Sequence, residues 1–144
     1  MALFKQQSAY FALAAVLLLP GSLCAEVLVV TAAHGAPVAV GKDQLCALFT
    51  GKTTLIMGAS AAIPIDQPES SALREEFYSK VDNKSVSQVK AGWTRLYFTG
   101  RGSPPREVSG SEEVKKILNS VPGAIGYIER ASLDASVKVL FVTQ

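Results

Sequence analysis

Short apolar segments rich in β-branched residues alternate with segments of helical periodicity, and this alternation restricts the possible folds more than any other feature of the chain. A strand is predicted where such residues run together, and a helix where apolar residues recur at i, i+3 and i+4. Strands interleaved with helices are typical of an α/β domain in which helices flank a mixed or parallel sheet. The predicted strands are 26–33, 38–40, 62–66, 124–128 and 137–142, and the predicted helices are 42–49, 70–81, 85–98 and about 109–121.

The first 25 residues have the layout of a secretory signal peptide. Lys5 provides a positive charge, residues 9–19 form an uninterrupted apolar run, and the segment ends in the small residue Ala25 after a Pro-Gly break. The run of 11 apolar residues is shorter than the roughly 20 that a membrane-spanning helix needs. We therefore expect cleavage after Ala25, export to the periplasm, and a single domain comprising residues 26–144. The alternatives are an uncleaved anchor and a lipoprotein attached through Cys24.

Charge and residue types exclude several classes of function. The formal net charge of +2 is too small to indicate a nucleic-acid-binding protein. The segment 51–53 resembles the end of a P-loop, but Cys46 stands where that motif requires its first glycine. His34 is the one histidine, and the sequence around it shows no nucleophile–base pair and no cluster of metal ligands. We predict a binding module without cofactor or metal, and not an enzyme.

The segment that joins strand 62–66 to helix 70–81 is the first candidate site. A helix start leaves up to four backbone N–H groups without partners and carries about half a positive charge, so it suits a bound oxyanion. Ser70 and Ser71 stand at this start, and Arg74 follows within the first turn. The alternative is that the serines only cap the helix and that Arg74 forms a surface salt bridge.

The loop 99–106 is the second candidate site. Its glycines let the backbone approach a ligand closely, and Arg101 and Arg106 can recognise an anion. The alternative is a solvated loop whose two arginines lie along the surface. The preceding aromatic residues are predicted to belong to the core and not to a binding surface: Trp93, Tyr97 and Phe98. Trp93 and Tyr97 fall on the apolar stripe of helix 85–98.

Four segments occur in an order and spacing that match one family. They are 48–52 (Leu-Phe-Thr-Gly-Lys), 63–71, 73–81 and 121–128 (Val-Pro-Gly-Ala-Ile-Gly-Tyr-Ile). Together they resemble the phosphate ABC-transporter substrate-binding proteins. The resemblance implies one lobe of a type 2 periplasmic-binding-protein fold, and a function linked to phosphate transport.

The resemblance implies that a small oxyanion such as phosphate is held near the helix start. Relatives have an arginine about where this chain has Asp66, and Gly-Thr where it has Ser71 and Ala72. Asp66 could accept the proton of a protonated oxyanion or serve only as a cap. The predicted ligand-binding residues are Ser70, Ser71, Asp66, Gln67, Arg74 and Arg101.

The partners implied are a membrane transporter or another envelope protein, and a homodimer is a further alternative because a second copy could complete the cleft. A protein of another class remains open: a ligand-free periplasmic interaction or sensor-input protein that retains only the lobe scaffold. Asp66 in place of the arginine and the missing second lobe favour that alternative.

Overall fold

Five strands and four α-helices make up most of the part of the chain that the computed structural model describes, residues 26–35, 40–56 and 61–144. The strands and helices lie close to their predicted positions, and a single turn of 3-10 helix follows β4. The strands are β1 (Val27–Ala32), β2 (Ile63–Asp66), β3 (Arg106–Glu107), β4 (Ala124–Glu129) and β5 (Val137–Val142). The helices are α1 (Lys42–Phe49), α2 (Ala72–Asp82), α3 (Val86–Phe98) and α4 (Ser111–Ser120).

The strands form one mixed sheet in the order β3-β2-β4-β1-β5. β1 is antiparallel to both of its neighbours, whereas β2 is parallel to β4 and to β3. The predicted mixed sheet is therefore confirmed. The pairing of β2 with β3 places Glu107 directly opposite Asp66, so β3 brings a second carboxylate to the carboxyl end of β2.

The helices cover both faces of the sheet, as predicted. Val27 and Val29 of β1 contribute to an apolar cluster formed with α1, α2 and α3, whereas Leu28 and Val30 contribute to a second cluster formed with α4. Because successive side chains of a strand point to opposite faces, the first four residues of β1 must all be apolar to meet both clusters. Its continuous run of valine and leucine is explained by this double burial.

Gly126 of β4 lies where the sheet and α4 approach most closely. A Cβ atom at this position would stand 2.6 Å from Cγ1 of Val114. We expect Gly126→Ala to lower the free energy of unfolding by about 1–3 kcal/mol, because overpacking forces neighbouring side chains to shift. Urea denaturation measures the effect. Gly92→Ala is the matched control, since a Cβ there meets nothing within 4 Å; equal losses in the two variants would contradict the packing argument.

The helix boundaries differ from the predictions in two places. α2 begins at Ala72 and not at Ser70, because the N–H of Ser71 donates to the carbonyl of Pro68 at 2.9 Å and closes a turn before the helix. Ser109 and Glu112 have the spacing of a capping box in the sequence, but the structure does not form one. The N–H and the hydroxyl of Ser109 both donate to Glu113 at 2.7 Å, one residue further along, and α4 begins after Gly110.

Two predictions fall wholly or largely outside the described residues. The signal peptide, residues 1–25, is one of them, and most of the strand predicted at 38–40 is the other. Across the described ranges, no helix has both the length and the apolar character needed to cross a membrane.

Lys115 ties α4 to the segment between β4 and β5. Its ammonium group donates to Asp134 at 2.7 Å and to the carbonyl of Ser132 at 3.1 Å, and it also pairs with Glu112. The hydrogen bond from Lys115 is the main reason why the pKa of Asp134 falls from 3.8 to about 2. A carboxyl group with a lowered pKa stabilises the fold above its ordinary pKa, and this contribution is lost as the pH falls toward the lowered value.

We therefore expect Asp134→Asn to be less stable than the wild type at pH 6, and the difference to shrink as the pH falls from 4 to 2. At low pH the Asp134 carboxylate of the wild type is protonated and loses its interaction with Lys115, whereas the substitution removes that interaction at every pH. Urea denaturation across this pH range gives the free energy of unfolding of the wild type and of the variant as a function of pH. Parallel curves would show that Asp134 does not contribute to the acid sensitivity of the fold.

Candidate functional site

The start of α2 lies at the carboxyl end of β2 and combines exposed hydroxyl groups with open backbone amides. Ser70 is exposed and Ser71 is partly exposed. Ser71 is the N-cap residue, with extended backbone angles, but its side chain makes no capping hydrogen bond. The N–H groups of Ala72 and Leu73 have no hydrogen-bond acceptor among the described residues. These amides and the positive end of the helix dipole are available to an anion.

Asp66 is buried next to this turn, with 1% of its surface exposed. One carboxylate oxygen accepts hydrogen bonds from the hydroxyl of Tyr127 and from the N–H of Gln67. The other accepts from the hydroxyl of Tyr78 at 2.7 Å and lies 3.3 Å from Nη2 of Arg74. Asp66 is therefore surrounded by donors that belong to the protein itself.

The burial of Asp66 shifts the proton affinities of the whole group. Burial raises the pKa of Asp66, although the hydrogen bond from Tyr127 and the charge of Arg74 act in the opposite direction. Burial and the charge of Asp66 together raise the pKa of Tyr78 and of Tyr127. Both tyrosines therefore keep their protons and remain donors to Asp66.

Gln67 links the end of β2 to the opposite face of the sheet. Its side chain is buried, and Nε2 donates to the hydroxyl of Ser111 at 3.1 Å and to the carbonyl of Tyr127 at 3.0 Å. Its own carbonyl accepts from Nη1 of Arg74 at 3.0 Å. The side chain of Gln67 thus holds α4 and β4 together below the turn, with its amide donors already used.

Arg74 is buried and not part of a surface salt bridge. It is 8% exposed, and its Nη1 contacts both the Gln67 carbonyl and Oε2 of Glu107 at 2.9 Å. Burial lowers the pKa of Arg74, but neighbouring negative groups, Asp66 foremost, more than compensate and the net pKa is raised. The Nε of Arg74 has no hydrogen-bond partner among the described residues.

Glu107 is a site residue that the sequence did not reveal, and so are Tyr78 and Tyr127, which donate to Asp66. Its side chain is half exposed, and its carboxylate accepts from Arg74 through Oε2 and from the N–H of Glu69 through Oε1, at 3.3 Å. A carboxylate of the protein therefore occupies donors that a bound oxyanion would use. Residues 99–110 read as a Gly-, Pro- and Ser-rich loop, and a strand of two residues leaves no periodic signal in such a segment.

The structure brings five of the six predicted residues to one place. Asp66, Gln67 and Arg74 form a buried hydrogen-bonded group, and Ser70 and Ser71 lie at the helix start beside it. Arg101 is exposed in the loop after α3. Among the described residues it forms no hydrogen bond or ion pair with the other five; its N–H donates to the carbonyl of Leu96.

Three crystal structures share this fold, which confirms the predicted resemblance at the level of the fold. A protein from Clostridium perfringens, assigned as a phosphate ABC transporter substrate-binding protein and solved with bound phosphate, is 20% identical, with a TM-score of 0.62 over 81% of this chain and 45% of that one. An ABC-type phosphate transport receptor from Vibrio cholerae is 19% identical, with a TM-score of 0.62 over 81% and 46%. PstS from Borrelia burgdorferi is 16% identical, with a TM-score of 0.59 over 81% and 47%.

The chain thus spans less than half the length of each of these proteins. No protein-family model matches the sequence, and no curated protein matches it. The comparisons therefore establish that this chain shares an α/β fold with part of each of these proteins.

Proposed function

We propose that this chain is an exported solute-binding module that recognises a small oxyanion, such as phosphate, at the start of α2. The observation that carries the proposal is the pair of open amides at Ala72 and Leu73 beside the hydroxyls of Ser70 and Ser71. A fold shared with phosphate-binding proteins of ABC transport supports the same conclusion. The proposal includes a periplasmic location and a membrane transporter as partner, and the shared fold supports both.

The bound anion would accept hydrogen bonds from these amides and from a serine hydroxyl. The anion would displace the Glu107 carboxylate from Nη1 of Arg74, because the anion and this carboxylate are both negatively charged and accept from the same donor. Asp66 and Gln67 would hold Arg74 and the turn in position, because the carboxylate of Asp66 and the side-chain amide donors of Gln67 are already paired within the protein. With one side of the anion facing water, high dielectric weakens each charge contact, so we expect modest affinity unless a second copy or a partner covers the site.

Isothermal titration of the protein, expressed from its full chain, with inorganic phosphate and with sulfate tests this proposal. We expect binding heat, and we expect Ser71→Ala to lower the affinity about tenfold because a hydrogen bond to a charged group contributes about 1.5–3 kcal/mol. Ser87→Ala, an exposed serine on α3, is the matched control. Titrations without heat for either anion would reject oxyanion binding.

A second candidate function is favoured by the contacts of Glu107. Because this carboxylate already joins Arg74 to the Glu69 amide, these donors are paired without any anion, as they would be in an interaction or sensor-input module. That function predicts a stable complex with an envelope protein whose affinity does not change when phosphate is added. A complex that forms only in the presence of phosphate would argue against it.

A further inference from the structure

A cleft of about 290 Å³ lies between the segment that follows α1 and one face of α3. It is separate from the oxyanion site and shares none of that site's residues. The helix α2 connects the two places, because Ser71 caps its start and Asp82, its last residue, lines the cleft. A helix rises 1.5 Å per residue, so the two ends of α2 are about 15 Å apart. We use the name α1–α3 cleft for this site.

The lining of the α1–α3 cleft contains positive charge that the protein does not neutralise. Lys52, Lys84 and Arg95 line it, and Asp82 is the one acidic residue in the lining. The carboxylate of Asp82 is already used, because one oxygen accepts from the Cys46 thiol at 2.8 Å and the other pairs with Lys84 at 3.1 Å. Lys52 and Arg95 form no ion pair within the described ranges, which contain all 12 acidic residues of the chain. Two cations of the lining therefore remain available to a ligand.

Gly92 keeps the α3 side of the cleft open. It lies in the interior of α3 and lines the cleft, although glycine is less favourable in a helix interior than every residue except proline. Its φ is not positive, and a Cβ atom there would meet nothing within 4 Å. Neither the backbone angle nor packing among the described residues therefore requires a glycine. Close approach of a ligand to the helix backbone does require one.

Apolar side chains stand beside Gly92 in the lining. Val89 and Leu96 both line the cleft, and with Gly92 they have the spacing i, i+3 and i+7 that places residues on one face of a helix. The cations come from both sides, Arg95 from α3 and Lys52 from the segment after α1. An arginine can bind a carboxylate through two parallel hydrogen bonds, and a lysine acts as a point charge. The arrangement fits a short hydrocarbon body that carries two anionic groups.

We infer that the α1–α3 cleft binds a small organic dicarboxylate. The hydrocarbon body would lie over Gly92 and contact the apolar side chains, and the two carboxylates would pair with Arg95 and with Lys52. The volume of about 290 Å³ is near the lower end of the range for small-molecule sites, which favours a short chain. An inorganic polyanion has no apolar body to cover Val89 and Leu96. Binding in this cleft requires none of the residues at the α2 start.

The test titrates the isotope-labelled protein, expressed from its full chain, with malonate, succinate, glutarate and adipate at constant ionic strength, and NMR spectra report which amides respond. We expect at least one of these acids to shift residues 50–53 and 82–96, and to bind about tenfold or more tightly than butyrate, which has one carboxylate. Lys52→Gln and Arg95→Gln should each lower the affinity about fivefold or more, because each removes one charged contact. Gly92→Leu should abolish binding by filling the cleft.

Matched control variants are Lys116→Gln on α4 and Ser87→Leu on α3, at exposed positions outside the cleft, and both should leave the affinity unchanged. Gly92→Leu should unfold at no lower urea concentration than the wild type, since leucine is the better helix former, so its loss of binding would not reflect unfolding. Four results would each overturn the inference: no binding of any of the four acids, equal binding of butyrate, tighter binding of inorganic pyrophosphate than of every dicarboxylate, or full binding by Gly92→Leu. Shifts confined to residues 66–76 would also overturn it, in favour of the α2 start.

Discussion

Asp66→Ala is expected to lower the free energy of unfolding by about 3–5 kcal/mol, the usual cost of removing one partner from a buried ion pair. The substitution would leave the hydroxyls of Tyr78 and Tyr127 without their acceptor, and the guanidinium of Arg74 without its buried counter-charge. Each buried donor left unpaired costs about 1–3 kcal/mol. A loss of this size is a large fraction of the stability of a small domain.

Urea denaturation followed by the fluorescence of Trp93, the one tryptophan of the chain, measures this loss. Asp66→Asn should recover part of it, because the amide oxygen can still accept from one of the tyrosines. Asp43→Ala removes an exposed carboxylate near the start of α1 and should cost less than about 1 kcal/mol. A similar, small loss for Asp66→Ala would mean that Arg74 and the tyrosines find other partners and that Asp66 does not organise the site.

Glu107→Gln is expected to raise the affinity for phosphate about tenfold. The carboxylate competes for Arg74 Nη1 and for the Glu69 amide, and it repels an incoming anion. The glutamine removes that negative charge and adds an N–H donor. A tenfold change corresponds to about 1.4 kcal/mol, which lies within the range of one hydrogen bond to a charged group. Because the Glu107 side chain is half exposed, the fold itself should lose less than about 1 kcal/mol.

Isothermal titration compares the wild type, Glu107→Gln and the control Asp134→Asn, which also removes one negative charge but has no contact with Arg74 or Glu69. Equal tightening in both variants would mean that net charge alone sets the affinity. Binding by the wild type with no change in Glu107→Gln would show that the anion does not displace Glu107. If neither the wild type nor Glu107→Gln binds phosphate, the ligand-free interaction module becomes the better account of this lobe.

The sheet and its helices could be predicted because each depends on a local pattern. The continuous apolar run of β1 indicated a strand covered on both faces, and it packs into both clusters. The α3 helix was predicted from the spacing of Val86, Val89 and Trp93, and these three residues are buried. The serines at the α2 start marked a helix start within two residues of its observed position.

The ion pairs and hydrogen bonds of the candidate site could not be predicted, because they join residues that are distant in sequence. Glu107 reaches Arg74 only through the pairing of β3 with β2, and Tyr127 reaches Asp66 across 61 residues. Tyr97 and Phe98 are predicted to belong to the core, and for both residues that prediction is wrong, because their side chains are exposed. Trp93 and Leu96 approach the backbone at Gly51, whereas Tyr97 packs against Phe98 at the surface. Periodicity identifies the apolar stripe of a helix, but it does not show how far along the helix another element covers that stripe.

The position of β1 between β4 and β5 also affects when the domain can form. Both of its neighbours, β4 and β5, come about a hundred residues later in the chain. Contacts between such distant segments slow folding, and a chain emerging from the ribosome lacks both partners of β1 until β4 and β5 have been made. A nascent chain that already carries β1 therefore exposes an apolar strand without partners, the kind of segment that aggregates or is bound by chaperones.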